Sequence, residues 1–249
     1  MKNSLLTKKT TFALLCASSA VLLQACGGGG SDGPPASSAA SAGSASGSSS
    51  AVSNSGTVSA PFKAGANPRY QLAGNNSFKS GPATSITQDA SGAVTKLGEN
   101  TLTGQTAVQE INGDASFAIG RWAAGTVTTS TGADTLSATD NRTYHYVLYN
   151  ALAAFPESGS FNCDAGTFTA PTRDSGSAIS PTTGSASGQA SLSFTGKVAT
   201  VSGSVAVSAG SSKASAPLNA SVKDPASSIY TGAYFNNGTG AGVQAGDAG

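Results

Sequence analysis

The sequence predicts an all-β protein: an eight-stranded antiparallel up-and-down barrel, preceded by a smaller β module and a disordered tether. Three observations carry this. Apolar residues alternate with polar ones at period two along several stretches, as strands with one buried face require. Helix-period patterns are absent; only Ala151 to Phe155 has room for a helical turn, and Pro156 stops it. Short Gly- or Asn-containing links separate successive alternating stretches, as hairpins demand.

The amino end reads as an export signal over residues 1–25. Lys2, Lys8 and Lys9 precede the largely apolar run from Phe12 to Leu23. That run is about a dozen residues long where a spanning helix needs roughly 20, so it fits a removable signal better than a transmembrane segment. Leu23-Gln24-Ala25-Cys26 resembles the lipobox of bacterial lipoproteins, with Gln24 its less usual element. The resemblance implies that Cys26 is lipidated, with palmitate-type acyl chains, and becomes the first residue of the mature protein. Each buried methylene contributes about 0.8 kcal/mol and one chain holds only marginally, so the three chains normal in this class imply a permanent membrane anchor. Gly27 stands where Asp commonly signals inner-membrane retention, which implies the outer membrane.

From Cys26 to about residue 60 the chain is nearly all Gly, Ser, Ala and Pro, with Val52 and Val58 the only larger apolar residues. Such a segment buries too little surface to offset its ordering entropy, so residues 26–60 read as a lipidated, disordered linker. Its random-coil reach is roughly 30 Å. Residues 61–114 read as the amino-terminal β module, with strands near Arg69 to Ala73, Thr84 to Gln88, Ala93 to Leu97 and Ala107 to Ile111.

Residues 115–249 supply the eight strands of the expected barrel, near 115–122, 143–149, 159–163, 187–195, 198–207, 212–222, 229–235 and 240–244. The alternation is regular: Ala199, Val201, Val205 and Val207 against Thr200, Ser202 and Ser204; Ala190, Leu192 and Phe194 against Ser191, Ser193 and Thr195. Tyr144, Tyr146 and Leu148 alternate with His145, Val147 and Tyr149, which predicts a buried Tyr146 and a more open His145. Pro217 falls on a polar position, where an edge or a bulge tolerates it. Gly196-Lys197, Gly210 to Ser212 and Asn236 to Thr239 are the expected hairpin turns, and eight antiparallel strands close naturally on a filled interior. A two-sheet sandwich is the competing arrangement.

Several chemistries are disfavoured by composition. Without the signal, ten basic residues face twelve acidic ones for a net charge near −2, spread without blocks, so nucleic acid is not an expected partner. Cys163 is left without a disulfide partner once Cys26 carries lipid, and it reads as a small buried hydrophobe. A serine-hydrolase site needs a His, and the single one, His145, lies mid-strand with no nucleophile-elbow motif in the folded part. One His and one remaining Cys disfavour zinc, so neither a metal nor another cofactor is expected. Asp134 and Asp140 read as solvated loop acids, and Gly196-Lys197 as a turn rather than a phosphate loop, because Val198 follows where Ser or Thr is needed. Trp122, the only Trp, is read as core rather than as an interface anchor.

The runs Phe117-Ala118-Ile119-Gly120-Arg121-Trp122, Tyr144-His145-Tyr146-Val147, Pro156-Glu157-Ser158-Gly159, Ala170-Pro171-Thr172, Gly188 to Phe194 and Gly232-Ala233-Tyr234-Phe235 resemble the carboxy-terminal barrel of transferrin-binding-protein-like surface lipoproteins. The resemblance covers residues 115–249. It implies eight strands, a lipid anchor and binding of a host or nutrient protein, and it transfers no ligand-binding residue. The expected function is therefore that of a non-enzymatic binding module held at the outer membrane, with Thr126 to Asn141 and Arg173 to Ala186 as long recognition loops. The alternatives are a structural envelope lipoprotein without a specific ligand and a periplasmic inhibitor or enzyme.

Overall fold

The computed structural model describes residues 10–14, 53–75, 77–138, 142–163, 166–172, 184–209, 212–225, 228–235 and 241–248. Among them there is no helix. The strands are β1 (Thr10–Leu14), β2 (Pro68–Gly74), β3 (Ser77–Pro82), β4 (Ile86–Gln88), β5 (Val94–Leu97), β6 (Asn100–Gly113), β7 (Phe117–Thr129) and β8 (Gly132–Leu136). They continue with β9 (Tyr144–Asn150), β10 (Ser158–Asn162), β11 (Ser185–Thr195), β12 (Val198–Ala209), β13 (Ser212–Val222), β14 (Ser228–Phe235) and β15 (Ala241–Ala248). Every pair among these described strands is antiparallel.

Three sheets result. Eight strands form a curled half-barrel in the order β3-β2-β9-β7-β6-β5-β4, with β8 beside the end of β7. Four strands form β10-β11-β12-β13, and three form β1-β14-β15. The all-β, antiparallel prediction therefore holds, and so does the location of most strands. The division at residue 114 does not: β7 to β9, assigned to the second unit, complete a sheet with β2 to β6. Asn112-Gly113-Asp114-Ala115-Ser116 has the polar composition of a linker but is a hairpin turn. Asp114 Oδ1 closes it by accepting from Ser116 N at 2.7 Å and Ser116 Oγ at 2.6 Å.

Inside the half-barrel, β7 and β9 present large side chains over a small one. A Cβ added at Gly120 would lie 2.5 Å from the Tyr146 hydroxyl, so the ring lies where a larger residue would stand. Trp122 and Tyr146 pack with centroids 6.3 Å apart, among Leu72, Val94, Leu97, Val108 and Leu148. Trp122 Nε1 donates to the Val94 carbonyl at 2.6 Å, which ties β7 to β5 across the interior. Trp122 is thus core, as expected.

A second core lies on one face of the four-stranded sheet, where Leu192, Phe194, Val201, Val205, Val207, Leu218 and Val222 gather with Phe155. The alternation predicts this face residue by residue. Cys163 is half-buried against it. Ala151 to Phe155 makes no helical turn; Phe155 is spent on this core instead. The Gly196-Lys197 turn is as predicted, with φ of +57° and +63° at its two residues, the primed turn that matches strand twist. Pro217 is exposed on the edge strand β13.

The expected recognition loop from Thr126 to Asn141 is largely a hairpin. Thr129 pairs with Gly132 and Gly125 with Leu136, while Val127 and Leu136 turn into the core. Its threonine-rich composition resembles a loop, but β-branched residues alternating with buried ones make strands. Of the other expected loop, residues 173–183 lie outside the described residues and Gly184 leads directly into β11.

The tether ends earlier than composition suggests. Residues 54–63 form a strap on the half-barrel: Ser55 N donates to Val108 O at 3.0 Å, Ile111 N to Ser55 O at 2.9 Å, Ser59 N to Gly113 O at 2.8 Å and Lys63 N to Ala115 O at 3.0 Å. Val58 packs on the core. Deleting Gly28 to Ser50 should change stability by less than about 0.5 kcal/mol in urea unfolding, as for any segment without packed surface. Extending the deletion through Val58 should cost roughly 2 to 3 kcal/mol, because it removes an apolar contact and backbone bonds together. Equal stability of the two deletions would contradict the strap.

Candidate functional site

One cluster of buried polar groups lies on the outer face of the half-barrel, around His145. Strand β9 alternates in register with β7, so that Arg121 lies opposite His145, Ile119 opposite Val147 and Phe117 opposite Tyr149. This face is buried as well: Ile119, Val147 and Tyr149 form a third apolar cluster, and His145 is only 6% exposed. The expectation of an open His145 is corrected. Alternation correctly separates the two faces of β9, but it carries no information on whether the second face is covered.

Residues 169–172, between β10 and β11, supply the cover over His145. Its Nδ1 meets Thr169 Oγ1 at 2.7 Å, and its Nε2 meets Thr172 Oγ1 at 2.7 Å and Thr143 Oγ1 at 3.2 Å. Thr143 and Thr172 hydrogen-bond to each other at 2.7 Å. Beside this cluster, Arg121 donates to Glu110 through Nε at 2.9 Å and Nη2 at 3.2 Å, a forked pair. Glu110 also accepts from Ala170 N at 2.6 Å. One carboxylate thus holds both the arginine and the covering segment.

Glu110 reaches this position through a bulge. The β6–β7 register shifts between Gln109 and Asn112, and Glu110 has φ of +56°, a conformation that disfavours any side chain. Ser55 Oγ of the strap receives its backbone N–H at 3.2 Å.

A hydroxyl 2.7 Å from an imidazole, as in the Thr172–His145 contact, is also the geometry of a nucleophile and its base. The surroundings argue for another role. Thr172 is 5% exposed, and burial followed by the nearby Arg121 charge pushes the His145 pKa down to about 3. A neutral imidazole that weakly basic, with both nitrogens occupied, fastens the cover and takes up no proton near neutral pH. Because its folded pKa is depressed, its contribution is fully present above the unfolded value of about 6.5 and is lost as pH falls toward 3. Wild-type stability should therefore fall by up to about 1.4 kcal/mol per pH unit across that window from this residue. His145→Ala should cost roughly 2 to 3 kcal/mol at pH 7, by leaving buried hydroxyls unpaired, and should flatten the dependence. Urea unfolding at pH 4, 5.5 and 7 checks both; an unchanged slope in the variant would refute the assignment.

The other candidate residues are distributed away from this cluster. Asp134 is not a solvated loop acid: it lies on β8, pairs with Arg142 at 3.2 Å and accepts from Asn75 Nδ2 at 2.8 Å. Lys197 pairs with Glu157 at 3.2 Å on the surface. Cys26 and Asp140 lie outside the described residues. Among the described residues no group of three potential metal ligands occurs. Glu110, Arg121, Thr169 and Thr172 were not singled out together by sequence, since nothing in their spacing brings them to one place. Comparisons with known protein families, with curated proteins and with solved structures find no match for this chain.

Proposed function

We propose that this chain is a lipid-anchored outer-membrane protein whose β body acts as a non-enzymatic binding module for a host or nutrient protein, similar in plan to the transferrin-binding-protein-like lipoproteins. The observation that carries the reading is the order of parts: a lipobox ending at Cys26, a Gly/Ser/Ala stretch, and a folded body whose strap begins at Asn54. A tether between lipid and body lets a small domain stand off a bilayer.

Processing at Cys26 also changes the body. Thr10–Leu14 pairs with β14, Thr10 opposite Phe235 and Leu14 opposite Thr231, so removal of residues 1–25 reduces the three-stranded sheet to the β14–β15 hairpin.

Cys26→Ala should abolish both fatty-acid labelling and signal cleavage, and Gly27→Asp should shift the protein to the inner-membrane fraction. A labelled Cys26→Ala protein would end the anchoring claim. Digestion by protease added to whole cells, followed by pull-down from serum or envelope extract, tests the binding claim. Surface exposure with a saturable partner supports it; a protected protein that captures nothing supports the structural envelope alternative.

A further inference from the structure

The outer face of the half-barrel carries a second polar feature, distinct from the His145 cluster. Along β2, Tyr70 and Leu72 point into the core, and Arg69 and Gln71 therefore share the outer face. Gln71 is 2% exposed, and its Oε1 is sealed from solvent with no hydrogen-bond partner. Arg69 Nε is sealed and unpartnered in the same way. The other two described arginines each hold an acid, Arg121 with Glu110 and Arg142 with Asp134. Arg69 holds none.

A buried donor and a buried amide two residues apart on one strand face are costly when neither is satisfied. Native folds satisfy nearly all such groups, and those left over call for a specific explanation. No bond joins the two. Opposite Gln71 on β3 stands Ser80, half-buried, and opposite Arg69 stands Pro82, exposed, so burial declines from Gln71 toward this sheet edge, and an outward swing of the half-buried Arg69 side chain is what would uncover the sealed atoms. On the other side Tyr149 and Val147 close this corner with apolar surface.

We propose that Arg69, Gln71 and the Ser80 hydroxyl form a receptor for a planar carboxylate group. An uncompensated guanidinium supplies the charge and a two-pronged fork, which matches a carboxylate better than a point cation does. The Gln71 amide rotates to turn its NH2 toward the same oxygens, and the two orientations are equivalent in shape. The apolar wall of Val147 and Tyr149 strengthens the charge interaction by excluding water. This deepens the binding reading by naming the chemistry recognised. It is tested apart from the anchor and from any protein partner.

The experiment titrates the purified full chain in detergent with carboxyl-labelled acetate, followed by carbon NMR at constant ionic strength, with phosphate and chloride as comparators. Saturable acetate binding is expected, weakened about tenfold or more in Arg69→Met and in Gln71→Leu. Gln71→Leu should at the same time raise the unfolding midpoint without acetate, because an unsatisfied amide has become apolar. Arg69→Lys, which keeps the charge and loses the fork, guards against a misfolded variant and should also bind more weakly. No saturation in the wild type, equal binding by Arg69→Met, or phosphate binding as tightly as acetate would each overturn the proposal. A captured protein partner with no acetate site, or the reverse, separates this inference from the wider reading.

Discussion

Trp122→Ala should lower stability by roughly 4 to 6 kcal/mol, enough to unfold a domain of ordinary stability. The side chain is fully buried, touches Tyr146 and holds the Val94 carbonyl at 2.6 Å from across the half-barrel. Truncation removes a large apolar contact, opens a cavity and leaves that carbonyl without its donor. Trp122→Phe separates the contributions, since it keeps much of the ring volume and loses the N–H; about 1 to 3 kcal/mol is expected from the orphaned acceptor and the smaller ring. Urea unfolding, followed by circular dichroism because the only Trp is replaced, reads both. A loss below about 1 kcal/mol for Trp122→Ala would mean that β5 and β7 do not face each other across one core.

Glu110→Ala should produce the second largest loss, roughly 2 to 4 kcal/mol. Arg121 is 6% exposed at its side chain and would be left buried without a counter-charge, while Ala170 N would lose its acceptor. The Glu110 side chain is 31% exposed, which places the expectation below the full range for a sealed pair. Glu110→Gly should be milder than Glu110→Ala by about 1 kcal/mol, because φ of +56° suits glycine. Adding Arg121→Met to Glu110→Ala should recover part of the loss by removing the stranded charge. If the double variant were as unstable as the sum of the singles, the forked pair would carry no coupling.

What the sequence made legible was the strands; what it concealed was their partners. Leu192, Phe194, Val201 and Val205 announce their buried face because side-chain direction alternates locally. Which strand lies beside which depends on contacts distant in the chain, and the Gly113-Asp114 turn resembles a linker as much as a hairpin. The polar cluster was hidden for the same reason. His145 was visible as a single residue, but Thr169 and Thr172 meet it only because the segment before β11 folds back over β9. Glu110 was hidden twice, by its distance from Ala170 and by a bulge whose left-handed residue is neither Gly nor Asn. Arg69 and Gln71 carried no signal beyond alternation, since a polar residue on a strand ordinarily means an open face.

The strap has a mechanical consequence. Its bonds at Ser55, Ser59 and Lys63 lie in sequence along one line from Val108 to Ala115, with Gly56 bridged in parallel to Ile111. A chain held at its amino end and dragged at its body feels tension first at Asn54. Tension along β6 loads these bonds together and each shares the force; tension perpendicular to the sheet opens them one after another from Ser55. The direction in which the chain leaves the body therefore sets how much shear the attachment withstands before the half-barrel itself is disturbed.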